Sequence, residues 1–177
     1  MNKSVIGLIL CVAAFLAAAS ACSTRQPVNT EKAKMERAEN KTENKNEGAI
    51  FPKGEKAPAE NFTGTVFVQM LAPKTESNNY SIGNVTFEPG ARSNWHSHPA
   101  GQTLLVTEGK GLYQEKGKPV RTLKKGDVIL CTPDIEHWHG ASLESQMTHV
   151  AITNYKGDIN AVWLKPVTDK EYNAGGK

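Results

Sequence analysis

Residues 94–109 read NWHSHPAGQTLLVTEG, and the reading of the whole chain turns on this stretch. Pro99-Ala100-Gly101 is a turn signal, and the TLLVTEG that follows is a short, partly β-branched run closed by glycine. On an extended strand the side chains i and i+2 share a face, about 6.6–6.8 Å apart along the chain. His96 and His98 therefore project together, and Gln102 opens the next strand, from which it folds back beside them. EHWHGAS repeats the spacing at His137 and His139, and His149 lies in MTHVAITNY. All five histidines of the chain fall between 96 and 149.

On either side of this stretch the same grain continues. FTGTVFVQML, YSIGNVTFEPG, GLYQEKG, DVILCTP and MTHVAITNY are short β-branched or aromatic runs punctuated by Gly, Pro, Asn and Asp. Regular short strands with turn signals predict an all-β sandwich or barrel. No internal repeat is present. The end, AVWLKPVTDKEYNAGGK, reads as one more strand, a turn at Pro166 and a frayed terminus.

The start is of another kind. Residues 1–21 carry one lysine, an apolar run and then Ala19, Ser20 and Ala21 ahead of Cys22. That is the shape of a secretory signal, and it resembles a bacterial lipoprotein box with Cys22 as the lipidated residue. Residues 22–60 are dominated by Lys, Glu and Asn. Such a segment buries too little apolar surface to offset chain entropy, so a solvated tether is expected there, with the folded domain over 61–177. The expected address is the bacterial cell envelope, periplasmic or outer-membrane, with the lipid as the sole membrane contact. A formal charge of +3, +2 once Lys3 leaves with the signal, points to neither nucleic acid nor an acidic membrane surface. With Cys11 in the signal and Cys22 lipidated, Cys131 has no intrachain partner and reads as a small buried hydrophobe.

One H-x-H pair alone is most simply a surface or hydrogen-bonded core feature. Two pairs and a fifth histidine on strands of one domain point instead to a transition metal. Neutral imidazole suits Zn, Cu, Fe and Ni, and mixed N/O sets also suit Mn or Co.

The spacing Gly90-(five)-His96-Ser97-His98-(three)-Gln102-(six)-Gly109, then Gly126-(ten)-His137, resembles the two motifs of the cupin superfamily. GQTLLVTEG, HWHGAS and MTHVAI are similar to the small cupins related to carboxymuconolactone decarboxylase-like proteins, the subgroup that includes cupin-type hydroxynitrile lyases. The resemblance covers about residues 62–165. It implies a single conserved barrel (double-stranded β-helix or jelly roll) and a homodimer. It also implies His96, His98, Gln102 and His137 as metal ligands, with His139 and His149 as non-ligand histidines beside them. Two departures stand out: Gln102 replaces the usual Glu, and Asp134 replaces the usual glycine of the second motif.

A ligand set of three histidines and an amide is neutral, so the ion would keep its full charge and act as a stronger Lewis acid. One divalent ion per chain is expected, with Mn, Fe, Co or Ni ahead of Zn, because four protein ligands close a tetrahedral zinc site. His139 shares its strand face with His137, and His149 shares one with Ala151 and Thr153. His139 and His149 are thus the candidate general bases, against the alternative of satisfied core histidines. Thr86, Phe87, Leu104, Val106 and Met147 are candidate pocket residues, the choice depending on register; Trp95 and Trp138 are expected outside the barrel or against a partner subunit. The expected function is a metal-dependent, lyase- or decarboxylase-like enzyme for a small hydroxy or oxo compound. The alternatives are a tethered module that binds a small ligand or a metal without catalysis, an iron dioxygenase, and a barrel with a purely structural metal.

Overall fold

The computed structural model describes residues 49–174. Cys22 and the signal-like segment lie outside the described residues. The strands are β1 (Glu55–Lys56), β2 (Phe62–Thr63), β3 (Val66–Ala72), β4 (Tyr80–Phe87), β5 (Arg92–Ser93) and β6 (His96–Ser97). They continue as β7 (Gln102–Glu115), β8 (Arg121–Lys124), β9 (Val128–Cys131), β10 (His137–Ala141), β11 (Met147–Asn154) and β12 (Val162–Trp163), before a helix α1 (Asp169–Asn173).

All pairings are antiparallel. A first sheet runs β1-β3-β4-β11-β7-β9. A second is built on β7 and β10, with β8 outside β7, and with β5 and β6 on the far edge of β10. β2 adds to β5 and β12 to β6. The result is an all-β barrel curled around one interior.

β7 joins the two sheets. TLLVTEG and GLYQEKG, which the turn signals divide, are one strand of 14 residues. Its N-terminal half pairs with β11 and β9, and its C-terminal half with β10 and β8. The hand-over sits at Gly109-Lys110-Gly111. Gly109 has φ 73°, and a Cβ there would collide with the Gln146 carbonyl; a Cβ on Gly111 would collide with the Met147 side chain. Glycine is read as a turn residue by default, but here it lets a continuous strand cross very close to β11.

Inward side chains alternate as the pleat demands. Phe87, Leu104, Val106, Ile129, Cys131, Ala141 and Met147 form one buried cluster that fills one end of the barrel. A second cluster lies on the outer face of the second sheet: Trp95, Leu112 and Trp138, covered by Val167 and Tyr172. Both tryptophans are therefore outside the barrel, and the chain's own C-terminus covers them. That terminus is not frayed over its described residues. Thr168 and Glu171 form a reciprocal capping box on α1, and the Tyr172 hydroxyl donates to the Ala141 carbonyl at 2.6 Å. Arg92 donates twice to the Val167 carbonyl, at 3.2 and 3.0 Å, and lies over the Tyr172 ring.

The expected tether also ends earlier than residue 60. Glu55 and Lys56 pair with Val68 and Phe67, Ala57 packs on the core, and Asn84 donates to the Pro52 carbonyl at 3.1 Å. Hydrophilic composition did not prevent this. A two-residue edge strand is held by backbone bonds, which a count of apolar side chains does not register.

Candidate metal centre

β6, the turn after it, β10 and β11 bring all five histidines into the unfilled end of the barrel. His96 and His137 are direct antiparallel register partners, so His98 and His139 lie on opposite sides of that pair along the strands. Ring centroids are 4.4 Å apart for His96 and His137, 5.0 Å for His96 and His98, and 5.4 Å for His98 and His137. His139 lies 5.2 Å from His96 and 4.9 Å from His149. Ligand-capable atoms of His96, His137 and His139 fall within 4.8 Å of one another.

Two kinds of histidine stand in this cluster. In the first, Nδ1 faces a backbone carbonyl: Asn94 for His96 at 2.9 Å, Asn160 for His98 at 2.6 Å, and Ile135 for His137 at 2.9 Å. A carbonyl only accepts, so each Nδ1 carries the proton and each Nε2 keeps its lone pair. The Nε2 atoms of His98 and His137 are buried without a partner. Lone pairs fixed in this way are what a metal-binding imidazole requires. In the second kind no such hold exists. His139 Nδ1 and both ring nitrogens of His149 are buried and unpartnered.

Gln102 is also buried. Its amide donates to the Thr153 hydroxyl at 2.8 Å. Its Oε1 faces the weak Cys131 thiol donor at 3.9 Å and the His98 ring, and an amide oxygen beside the imidazoles fits a hard or borderline cation. Burial keeps every one of these rings neutral. It pushes His137 and His149 down to about 4, and holds His96, His98 and His139 below the ordinary imidazole value, with the neighbouring histidines adding to the effect at His96 and His139. Burial raises the Cys131 thiol to about 12, so it is no thiolate nucleophile.

A cavity of about 220 Å³ opens onto His96, His98, Gln102, His139 and His149. Its other walls include Phe62, Val68, Val85, Ala151 and Trp163, with Met70 half-exposed at the rim. No Lys, Arg, Asp or Glu lines it.

Of the candidate pocket residues, none is in this lining. Phe87, Leu104, Val106 and Met147 belong to the filled end, and Thr86 points outward, its hydroxyl 3.2 Å from that of Thr148. The register of β4 puts Ser81, Gly83 and Val85 inward instead, opposite Thr153, Ala151 and His149. Asn160, Trp163 and Phe62 escaped the sequence reading altogether. They come from loops and two-residue strands, which carry no periodicity. Asp134, in place of the motif glycine, takes the glycine conformation, with φ 63°, so the turn before His137 is kept at the cost of local strain.

A family described as the Cupin domain matches residues 83–152. The (R)-mandelonitrile lyase of Granulicella tundricola is 44% identical over 117 residues, 66% of this chain and 89% of that enzyme. The chain belongs to the cupin family. Among solved structures, a cupin-like protein from Thermotoga maritima is 47% identical, with a TM-score of 0.69 over 71% of this chain and 96% of that one. A cupin 2 conserved barrel domain protein from Rhodopseudomonas palustris shares the fold at 16% identity, with a TM-score of 0.53 over 66% of this cupin and 78% of its own chain.

Proposed function

We propose that this cupin holds one divalent transition ion on His96, His98, His137 and Gln102 and cleaves a bond beside the hydroxyl of a small neutral compound, as a hydroxynitrile-type lyase does. The observation that carries the reading is the set of three imidazoles whose Nδ1 protons are fixed to backbone carbonyls. His139 could replace His98 in a geometric triad, but its unanchored ring suits proton transfer better than ligation. When bound, the ion supplies Lewis acidity toward an oxygen of the substrate.

The remaining chemistry belongs to the chain. His149, neutral and with both ring nitrogens unpartnered, would accept the hydroxyl proton on one of them as the adjacent carbon–carbon bond breaks and its electron pair leaves with the leaving group. His139, 4.9 Å away by ring centroid, would take that proton from His149 and pass it to the leaving group. The uncharged lining disfavours carboxylate and phosphate substrates, which would enter without a counter-charge. Its apolar walls and the Trp163 and Phe62 rings, 5.6 Å apart and edge-to-face, suit an aryl or alkyl substituent. Support for the lyase chemistry comes from the mandelonitrile lyase relative.

The test is metal content and mandelonitrile cleavage measured together. His96→Ala and His98→Ala lose the ion, whereas His139→Ala keeps it. His149→Ala keeps the ion and loses turnover by roughly a hundredfold or more, the scale of a missing general base. A metal-loaded protein with no turnover on hydroxynitriles or related hydroxy and oxo compounds would overturn the lyase reading in favour of a ligand-binding module. We also infer anchoring through a lipid on Cys22 and pairing of two chains as a homodimer. Fatty-acid labelling that persists in Cys22→Ser would remove the anchor.

A further inference from the structure

The three carbonyl-held histidines differ in where their carbonyls come from. His96 and His137 each meet a carbonyl two residues upstream, that of Asn94 and that of Ile135. Those contacts are local, and each strand carries its own. His98 instead meets the carbonyl of Asn160, 62 residues further on, at 2.6 Å. His98 also lies just beyond the end of β6, and it stands outside the closest trio of ligand-capable atoms, His96, His137 and His139. Its orientation is the one that a distant part of the chain decides.

That part is the segment after β11. Asn79 holds the Tyr155 backbone at both polar groups. Its carbonyl accepts from the Tyr155 N–H at 3.1 Å, and its amide donates to the Tyr155 carbonyl at 2.8 Å. A tight turn follows, with Lys156 and Ile159 bridged. The turn brings Asn160 back to Tyr155, and the Asn160 amide donates to the Tyr155 hydroxyl at 3.2 Å. No turn or loop hydrogen bond between backbones involves Asn160 among the described residues. The side-chain bond is therefore what aims the Asn160 carbonyl. Beyond it β12 pairs with β6, and Asn160, Ala161 and Trp163 form one wall of the cavity.

We infer that Asn160 and Tyr155 are positioning residues for His98, so that a segment remote in sequence aims one of the three imidazole lone pairs. The inference rests on the metal centre proposed above. The Asn160 carbonyl keeps the proton on Nδ1 and leaves the Nε2 lone pair for a cation. With the tie to Tyr155 cut, the carbonyl swings and the ring exchanges between its two tautomers. His98 then offers a misaimed lone pair, and only part of the time, which weakens the binding of an ion. His96 and His137, held locally, keep their orientation.

Two variants cut the tie at either end. Asn160→Ala removes the donor. Tyr155→Phe removes the acceptor and keeps the ring under Lys74. Imidazole nitrogen-15 NMR of the chelator-treated full chain reads the tautomers without any metal. In the wild type His96, His98 and His137 all carry the proton on Nδ1. In each variant His98 alone moves to a mixture of both tautomers. Titration of the same proteins with cobalt(II) gives a dissociation constant about tenfold higher in either variant, the scale of an outer hydrogen-bond partner of a metal ligand. The double variant binds no more weakly than the singles, because all three lack the same contact. General damage to the fold would instead disturb all three histidines, and its effects would add. A His98 signal that stays fixed, or a dissociation constant unmoved by both variants, overturns the inference. A wild type that takes up no cobalt(II) overturns the metal centre instead, and the His98 tautomer alone then decides the positioning.

Discussion

The two ends of the barrel interior are made by the same strands. On β4, Phe87 fills one end, while Gly83 and Ser81 leave space at the other. On β11, Met147 gives way to His149, Ala151 and Thr153; on β7, Val106 and Leu104 give way to Gln102. The filled end is closed by bulky apolar groups in contact. The open end is lined by small residues and by imidazoles whose buried nitrogens lack partners. Stability resides where the interior is full, and reactivity where polar groups are buried and left unsatisfied, because an orphaned buried nitrogen gains most from a ligand. The alternation of the pleat puts both kinds of residue inward, and the size and polarity of the inward residues decide which end is which.

The comparison breaks most severely when the filled end is emptied. Leu104→Ala, at a fully buried position, is expected to cost about 3 kcal/mol in urea unfolding, with the pKa directions at the open end unchanged. Acid attacks the other end, by a comparable amount for each histidine. His137 and His149 sit near 4 in the fold because burial opposes their charge, against about 6.5 in the unfolded chain. The unfolded state therefore takes up protons first. Stability is complete above pH 6.5 and falls as pH drops toward 4, by on the order of 3 kcal/mol for each of these two histidines. Chelator-treated protein melted across that range shows the loss; a flat profile would mean the rings are not buried as described.

Filling the open end has a smaller effect. Ala151→Leu projects into the cavity and is expected to change stability by less than about 1.5 kcal/mol. It should raise KM for an aryl substrate by about tenfold, the scale of one lost apolar contact, with metal content intact. The smallest effect belongs to the turn ahead of His137. Asp134→Gly relieves a left-handed residue and should stabilise the fold by about 1 kcal/mol, raising Tm by a few degrees.

Much of this was legible in the chain. A period of two in His96/His98 and His137/His139, glycines at fixed distances from them, and short punctuated runs are local features, and local features fix a strand, its inward face and its neighbours in the motif. Thr153 was placed on the face of His149 by the same alternation. Four elements were not legible there. β7 was divided, because glycine signals a turn unless a neighbouring strand needs the space. The order of α1 was missed although Thr168-Asp169-Lys170-Glu171 spells a capping box. The arm at 51–57 was assigned to the tether, since edge pairing leaves no mark in composition. The register of β4 was left open, and with it the true lining of the cavity.

By itself, the sequence determined an all-β domain with two H-x-H pairs and a fifth histidine on its strands, which follow from spacing along one strand at a time. The cupin barrel and the neutral donor set were what the resemblance of its motifs implied. Only the tertiary structure decided which histidines are locked to carbonyls and which are left free, that Thr153 orients Gln102, and that Phe62, Asn160 and Trp163 complete the cavity. Those are contacts between residues distant in the chain, set by register and close packing across strands, and no period within a single strand carries them.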